Sequence, residues 1–194
     1  MTSSTQHKVA LVTGASRGIG AAIAERLAQD GFTVIVNYAR GAAEADAVVS
    51  KIEQAGGKAV SAQADVSDAA AVRRMFASAE QAFGGVDVLV NNVGIMMLSA
   101  IADTDDAAFD RLIDINLKGT FNTLREAAKN LHDGGRIINF SSSVVGLYQP
   151  TYGVYAATKA AVEALSRVLT KEMRGRNITV NTVAPGPTAT DLFL

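Results

Sequence analysis

Short apolar stretches and longer amphipathic segments alternate along the whole chain. The first stretch, Lys8–Thr13, has apolar residues on both faces, as in a strand that is covered by helices on both sides. Five later stretches also predict strands: Thr33–Tyr38, Lys58–Ala64, Val86–Val90, Arg136–Phe140 and Ile178–Ala184. Each of the first five predicted strands is followed by a segment long enough for a helix.

The segments between these strands have helical periodicity. Five helices are predicted: one that begins near Gly20, one over Ala42–Ala55, one that ends at Phe83, a long one that begins at Thr104, and one over Tyr152–Arg174. Ser67 or Asp68 is expected to cap the third. Strands and helices that alternate without a repeat or a linker predict one α/β domain. Its core is a doubly wound parallel sheet with strand order 3-2-1-4-5-6.

The composition narrows the class of protein. The 194 residues are 48% hydrophobic and 19% charged, which is typical of one soluble domain with a substantial core. The net charge of -1 provides no field that would attract nucleic acid or an acidic membrane. Residues 1–7 are expected to form a flexible tail, and no apolar run approaches the length of a membrane helix. Residues 8–194 form the predicted domain.

Residue types that are rare or absent exclude several kinds of site. Without cysteine the chain has no disulfide and no thiolate, which suits a reducing compartment, and the cytoplasm is the expected location. His7 and His132 are both expected to be solvated, so neither a histidine-based triad nor a zinc site is expected. The acids between Asp103 and Asp110 allow a metal site, but helix capping explains them better.

A glycine-rich turn, Gly14-Ala15-Ser16-Arg17-Gly18-Ile19-Gly20, follows the first predicted strand. Gly14 permits a tight turn, Gly18 lets the backbone approach a phosphate, and Gly20 lets the next helix lie close to the strand. Strand, turn and helix in this order indicate a dinucleotide site at the carboxyl edge of the sheet. A purely structural turn is the alternative.

The end of the second predicted strand indicates which dinucleotide is bound. NAD-binding units place an acid there to hold the ribose 2′-hydroxyl, but no acid follows Tyr38 until Glu44. Asn37, Arg40 and, from the glycine turn, Arg17 are the neighbours instead, and two unopposed guanidinium groups suit a 2′-phosphate. NADP(H) is therefore favoured over NAD(H), unless both arginines simply face water.

Polar residues after two further strands point to the same edge. Asp65 is placed to meet the adenine amino group. Asn91 and Asn92 either tie neighbouring strands together and line the adenosine pocket, or form a turn. Asn116 lies among apolar residues of the long helix, where it is expected to bond the backbone or a water and to bend the helix at Gly119.

Tyr155 and Lys159 are the candidates for chemistry. Their spacing places both side chains on one helix face, one turn apart. An adjacent ammonium favours the phenolate, and lowering a tyrosine pKa by about three units needs about 4 kcal/mol. Ser142 follows the fifth predicted strand, where its hydroxyl can polarise a carbonyl oxygen that Tyr155 protonates. The alternative is a tyrosine and a lysine that share a helix face by chance.

Taken together, these motifs resemble the classical short-chain dehydrogenase/reductase family over nearly the whole chain, from Val9 to Leu194. The glycine spacing is unlike that of the extended, epimerase-type members, and the chain is most similar to 3-oxoacyl-[acyl-carrier-protein] reductase-like members. The resemblance implies a Rossmann fold and an NADP(H)-dependent oxidoreductase that interconverts a small carbonyl compound and a secondary alcohol.

The resemblance also implies a role for each site residue. Tyr155 is the implied proton donor/acceptor, Lys159 lowers its pKa and binds the nicotinamide ribose, Ser142 orients the substrate oxygen, and Asn116 holds a water in a proton relay. The implied cofactor-binding residues are Gly14, Ser16, Arg17, Gly18, Ile19, Gly20, Asn37, Tyr38, Arg40, Asp65, Val66, Asn92, Val93, Gly94, Tyr155, Lys159, Pro185, Gly186 and Thr188.

The chain departs from the family pattern in two places. Val93 stands where the family usually has alanine, which adds bulk under the adenosine. The family also continues beyond the Pro185-Gly186 loop with a lid, a last helix and a seventh strand, whereas this chain stops at Leu194. The domain is therefore expected to be incomplete at its C-terminal end, with the usual seventh strand missing.

A second hypothesis is a non-catalytic protein of the same fold that senses the dinucleotide or serves as a scaffold. The intact set of catalytic residues argues against it. Substrate specificity is expected to depend on Met96, Met97, Leu147, Tyr148 and Tyr152, although the two methionines are equally consistent with core packing. The resemblance implies a homodimer or homotetramer that assembles through the two long helices.

Overall fold

The structure is a computed structural model and describes residues 8–189. One six-stranded parallel sheet has the order β3-β2-β1-β4-β5-β6, which confirms the predicted strand order. The strands are β1 (Val9–Val12), β2 (Thr33–Tyr38), β3 (Lys58–Gln63), β4 (Val86–Asn91), β5 (Leu131–Phe140) and β6 (Thr179–Val183). The order reverses between β1 and β4, so their carboxyl ends flank the crevice in which such sheets bind ligands.

Helices cover both faces of the sheet. They are α1 (Gly18–Gln29), α2 (Ala42–Gln54), α3 (Ala69–Phe83), α4 (Asp106–Leu112), α5 (Gly119–Asn130), α6 (Val144–Leu147) and α7 (Gly153–Glu172). A π-helical segment, Ile113–Lys118, joins α4 to α5. Short 3₁₀ turns lie at Ile101–Asp103 and Arg174–Arg176. Within residues 8–189, no helix has the length and apolar character needed to cross a membrane.

Alternate residues of the strands belong to two apolar clusters, one on each face of the sheet. Val9 and Leu11 of β1 join the cluster that packs against α3, α5 and α7. Ala10 and Val12 join the cluster that packs against α1 and α2. Because successive side chains of a strand point to opposite faces, burial on both sides explains why this stretch is apolar throughout.

Two acidic residues cap helices. The Asp68 carboxylate accepts the Ala70 N–H at 2.7 Å, and the Asp105 carboxylate accepts the Ala108 N–H at 2.7 Å. These bonds satisfy amide groups that have no partner in the first turn of a helix. Capping therefore accounts for Asp105, and residues 8–189 contain no group of three or more acids and histidines that could hold a metal.

His132 is partly solvated, with a side chain that is 38% exposed. It lies in β5, which begins at Leu131, five residues before the apolar stretch that predicts the strand. His132 Nδ1 lies 3.0 Å from an Asp87 carboxylate oxygen and Nε2 lies 2.8 Å from the Gly84 carbonyl oxygen. Both neighbours are acceptors, so the doubly protonated ring satisfies both. The hydrogen bond to Asp87 raises the pKa of His132. His7 lies outside the described residues.

Candidate active site

The glycine turn between β1 and α1 has the geometry that its sequence predicts. Gly14 and Gly18 have φ angles of 61° and 56°, in the left-handed region that favours glycine. A Cβ atom on Gly20 would lie only 2.4 Å from the Gly14 carbonyl oxygen, so α1 approaches the turn more closely than any side chain allows. Arg17 at the N-cap makes no side-chain capping bond. The first amides of α1 therefore suit a phosphate.

Thr13 and Asn92 brace this turn against β4. Thr13 Oγ1 accepts the N–H groups of Asn92 and Val93 at 3.1 and 3.2 Å. Asn92 Nδ2 donates to the carbonyl oxygens of Thr13 and Gly14, both at 3.0 Å. The two asparagines thus tie strands together and do not form a turn of their own. Val93 packs beside Gly14: a Cβ atom on Gly14 would lie 2.9 Å from a Val93 methyl group.

Asn37 supports the same turn from β2. Its Oδ1 accepts the Gly14 N–H at 3.3 Å, and its Nδ2 donates to the carbonyl oxygens of Ala62 and Ala64 at 3.1 and 3.0 Å. The side chain is buried and its amide is fully engaged by backbone groups. The structure therefore gives Asn37 a bracing role that the strand pattern did not reveal, in place of a free donor beside the ribose.

Arg17 and Arg40 are both exposed. Among residues 8–189, neither guanidinium forms an ion pair with a carboxylate. Tyr38, at the end of β2, is half-buried. The prediction that these residues recognise a 2′-phosphate stays a prediction, and both positive charges are available for it.

Asp65 and Val66 follow β3 but play different parts. Asp65 is exposed, and its Oδ1 accepts the N–H and the hydroxyl of Ser67 at 2.9 and 2.7 Å. Val66 is buried, and a Cβ atom on Gly119 would lie 2.5 Å from one of its methyl groups. Asn122 Nδ2 also donates to the Val66 carbonyl oxygen at 2.9 Å. The Val66 side chain is thus part of the core, and of these two residues Asp65 is the one that offers a polar side chain.

Asn116 is buried in the π-helical segment and lies against the loop after β4. Its Oδ1 accepts the Ile95 N–H at 2.8 Å, and its Nδ2 donates to the Ile95 carbonyl oxygen at 2.9 Å and to Thr158 Oγ1 at 3.3 Å. The expected bonding to backbone is confirmed. Asn116 lies within the π-helical segment that precedes Gly119, and π-helical turns occur often at functional sites.

Lys159 lies deep in the site on α7. Its Nζ donates to the Phe140 carbonyl oxygen at 2.9 Å and lies 5.9 Å from the centroid of the Tyr155 ring. A Cβ atom on Gly94 would lie 3.1 Å from this Nζ, so Gly94 leaves the space that the ammonium group occupies. Burial lowers the pKa of Lys159 to about 8. Its charge is thus less stable here than in water.

The pKa of Tyr155 is shifted upwards, whereas a downward shift was expected. Burial raises it above its usual value, and a hydrogen-bonding interaction with the Ser142 hydroxyl offsets only part of that rise. Lys159 was expected to lower this pKa, but its ammonium group is directed to the Phe140 carbonyl oxygen. Residues 8–189 alone therefore make the phenol a weaker acid than free tyrosine, and a further positive charge beside it would lower its pKa.

Three consecutive serines follow β5, and the structure distinguishes them. Ser141 is buried and its hydroxyl donates to Glu163 Oε1 at 2.7 Å. Ser143 precedes the short helix α6. Ser142 is the serine whose hydroxyl interacts with Tyr155. The catalytic role of Ser142 stays a prediction.

The loop after β6 returns to the glycine turn. The Ser143 N–H donates to the Pro185 carbonyl oxygen at 3.0 Å, which ties this loop to the end of β5. Thr188 lines a groove of about 560 Å³ together with Gly18 and Ile19. The loop that contains Gly186 is therefore close to both the phosphate cradle and the serines.

A buried polar network beneath the site was missed from the sequence. Thr123 Oγ1 donates to Asn91 Oδ1 at 2.7 Å, and Asn91 Nδ2 donates to Asn139 Oδ1 at 2.8 Å. Asn139 Nδ2 then donates to Ser166 Oγ at 2.8 Å. The network joins α5, β4, β5 and α7. The sequence pattern indicated only that Asn91 ties neighbouring strands together, and its partners Thr123 and Asn139 were not predicted.

Comparison with known proteins gives consistent matches. A sequence model described as short chain dehydrogenase matches residues 8–193. An uncharacterized oxidoreductase of Methylorubrum extorquens is 49% identical over 189 residues, which are 97% of this chain and 76% of that protein. A chloroplastic NADPH-dependent aldehyde reductase-like protein of Arabidopsis thaliana is 44% identical over 200 residues, covering 96% of this chain and 74% of that protein.

A solved structure is similar in fold as well. The crystal structure of a short chain dehydrogenase from Burkholderia cenocepacia in complex with NADP has a TM-score of 0.92 at 42% sequence identity. The match covers 96% of this chain and 77% of that one.

Proposed function

Because the chain belongs to the short-chain dehydrogenase/reductase family, we propose that it is an NADP(H)-dependent oxidoreductase that interconverts a carbonyl and a secondary alcohol. Tyr155 is the proposed proton donor and acceptor. The observation that carries the proposal is the convergence of Ser142, Tyr155 and Lys159 beside a glycine turn shaped for a phosphate. Tyr155 and Lys159 lie on α7, Ser142 follows β5, and a Cβ atom on Gly94, which follows β4, would lie 3.1 Å from Lys159 Nζ.

Each residue has a part in the proposed reaction. The Ser142 hydroxyl and the Tyr155 phenol hold the substrate oxygen, and Tyr155 gives or takes the proton there. The nicotinamide supplies the hydride when it is bound, and its oxidised ring supplies positive charge. With a pKa of about 8, Lys159 is mostly protonated at neutral pH. Through its bonds to Ile95, Asn116 keeps the neighbouring backbone in place for a water that relays protons to Lys159.

NADP(H) is the proposed cofactor in preference to NAD(H). The free guanidinium groups of Arg17 and Arg40 support this choice, and so do the NADP complex and the NADPH-dependent name among similar proteins. The test is a titration of NADPH and NADH against the wild type and Arg40→Ala. Loss of one charge-assisted contact should weaken NADPH binding about tenfold and leave NADH binding unchanged. Equal loss for both would contradict a 2′-phosphate contact.

The proposed substrate is an uncharged carbonyl compound with an apolar body. Residues 93–102 and 140–157 flank the catalytic residues and contain no charged side chain. The Ser99 N–H donates to the Thr151 carbonyl oxygen at 3.0 Å, so these segments lie side by side. Leu147 and Tyr148 are exposed there. Burying a carboxylate against such a wall is unfavourable. An acyl-carrier-protein thioester, suggested by the sequence resemblance, is the second candidate substrate.

A matched pair of aldehydes tests the substrate class. NADPH consumption is followed at its absorbance with 4-methylbenzaldehyde and with 4-carboxybenzaldehyde. We expect kcat/KM to be at least about tenfold higher for the uncharged compound. A 3-oxoacyl thioester run in parallel tests the second candidate. If NADPH binds but no carbonyl compound is reduced, the non-catalytic sensor or scaffold is supported.

Assembly and location complete the proposal. α5 exposes Phe121, and α7 exposes Val168 together with the small side chains of Ala157, Ala160 and Ala164. These apolar surfaces support a homodimer or homotetramer that forms through α5 and α7. Sedimentation of the wild type and of Phe121→Glu tests this assembly, because a charge buried in the interface should shift the protein toward smaller species.

The cytoplasm is the proposed location. The absence of cysteine is the only observation that supports it.

A further inference from the structure

We propose that Glu163 is a positioning residue that acts on Ser142 through Ser141; this inference rests on the oxidoreductase function proposed above. Ser141 Oγ donates a hydrogen bond of 2.7 Å to Glu163 Oε1. Ser141 is 4% exposed and the Glu163 side chain is 23% exposed, so the bond is largely shielded from water. A hydroxyl that donates to a carboxylate forms one of the stronger kinds of hydrogen bond.

Glu163 continues the spacing of the two catalytic residues on α7. Tyr155, Lys159 and Glu163 lie four positions apart and share one helix face. Lys159 Nζ donates to the Phe140 carbonyl oxygen at 2.9 Å, Glu163 holds Ser141, and Tyr155 interacts with the serine that follows. Three successive turns of one helix therefore contact three consecutive residues at the end of β5.

The Ser142 hydroxyl depends on its neighbours for its position. Its one hydrogen bond to the backbone is long, with Val144 N 3.5 Å from Ser142 Oγ. The N–H groups of Ser141 and Ser143 donate at 2.8 and 3.0 Å to carbonyl oxygens in and after β6, which holds the chain on both sides. The side chain of Ser141 adds the connection to α7. Glu163 thus ties the segment that presents the serine to the helix that presents the tyrosine.

The two oxygens of the Glu163 carboxylate have different partners. Oε1 accepts from Ser141, whereas Oε2 lies 3.3 Å from an Arg167 guanidinium nitrogen. The Arg167 side chain is 79% exposed, and such ion pairs contribute little. Replacing Arg167 therefore removes the solvent-side partner alone, and provides a matched control for loss of the buried bond.

The experiment measures NADPH-dependent reduction of 4-methylbenzaldehyde by Glu163→Leu, Glu163→Gln, Ser141→Ala and Arg167→Gln in the whole chain. Glu163→Leu and Ser141→Ala should each lower kcat about tenfold, because the serine hydroxyl loses alignment, while KM for NADPH stays within about twofold. Glu163→Gln should recover most of kcat, since its amide oxygen still accepts from Ser141. Arg167→Gln should keep kcat within about twofold.

A double variant isolates the bond itself. If Ser141 and Glu163 act through one hydrogen bond, Ser141→Ala combined with Glu163→Leu should lower kcat no further than either change alone. Thermal unfolding and NADPH binding of each variant show whether the fold and cofactor site persist. If Glu163→Leu does not fold, two milder variants still test the positioning role of Glu163. Ser141→Ala removes a single hydroxyl oxygen, and Glu163→Gln keeps an oxygen that can accept the hydrogen bond.

Full activity of Ser141→Ala and Glu163→Leu, or an equal loss in Arg167→Gln, would overturn the positioning role. In that case an inactive Tyr155→Phe variant leaves the proposed oxidoreductase function standing. If the wild type itself reduces no carbonyl compound with NADPH, the proposed function is wrong, and the role of Glu163 is overturned with it.

Discussion

The two halves of the sheet are stabilised in different ways. Within residues 8–189, the half built from β1, β2 and β3 contains three buried polar residues, namely Thr13, Thr33 and Asn37. Eleven lie in the other half, on β4, β5, α7 and the segments between them. The first half presents the phosphate cradle and the second presents the tyrosine, the lysine and the serine.

This difference matches what each half has to do. A phosphate cradle needs backbone amides and close approach, which glycine provides without side-chain contacts. An acid–base group must instead be held at a defined position and angle, which requires side chains fixed by hydrogen bonds. We therefore expect the first half to be sensitive to added volume, and the second half to loss of polar partners.

The largest effect is expected from Gly20→Ala in the first half. Its Cβ atom would lie 2.4 Å from the Gly14 carbonyl oxygen, and since that neighbour is backbone, α1 must move. The loss in the free energy of unfolding and the loss in the free energy of NADPH binding should together amount to at least about 3 kcal/mol. Thermal unfolding with and without NADPH measures it. Gly175→Ala is the control, because its Cβ atom would meet nothing within 4 Å. A summed loss in Gly20→Ala that is no larger than the loss in Gly175→Ala would refute the close-approach argument.

A smaller effect is expected from Asn139→Leu in the second half. The change leaves Asn91 Nδ2 buried without a partner and removes the bond that Ser166 Oγ accepts, at a cost of about 2 kcal/mol in the free energy of unfolding. Urea denaturation measures it. Asn181→Leu on β6 is the matched control, since Asn181 is exposed and should change stability by less than about 0.5 kcal/mol. Equal effects at both positions would mean that the network does not stabilise this half.

The smallest effect concerns a contact that joins the two halves. Asp87 accepts the Val9 N–H at 2.7 Å and also bonds His132. Because the pKa of His132 is raised in the folded state, its stabilisation is fully present below about pH 6.5 and is lost as pH rises through the folded-state value. His132→Asn should cost about 0.5 kcal/mol at low pH and less at high pH, since the side chain is 38% exposed.

Urea denaturation of the wild type and His132→Asn at about pH 6 and pH 9 checks this sign. The same comparison in an Asp87→Asn background is the control, and the pH dependence should disappear there. A loss of stability that grows with pH would contradict a charged histidine at this position.

The fold was accessible from the sequence because a parallel sheet buries both faces of its strands. Six apolar stretches separated by helical segments leave few topologies, and the strand order is confirmed. In strand β5 the apolar pattern predicts only the second half of the strand. Its first five residues, from Leu131, include a histidine, an aspartate and two glycines. Backbone pairing needs no apolar side chain, so hydrophobicity does not reveal this part of the strand.

The sequence was enough to predict that the candidate catalytic residues lie near one another, but not to predict their pKa values. Helical spacing was enough to place Tyr155 and Lys159 together, yet burial determines their pKa values and reversed the direction expected for the tyrosine. Asn37 shows a second limit. Its backbone partners lie 23 to 27 residues away, so only the folded chain reveals that its amide is engaged. Ser141 and Glu163, 22 residues apart, were missed for the same reason.

The most direct test measures both halves in one variant. In Tyr155→Phe the phenol oxygen is lost while the glycine turn is untouched. The NADPH dissociation constant, read from cofactor fluorescence, should stay within about threefold of the wild type, and turnover of 4-methylbenzaldehyde should fall at least about a hundredfold. Turnover that remains within about twofold of the wild type would contradict the assignment of Tyr155 as the proton donor and acceptor.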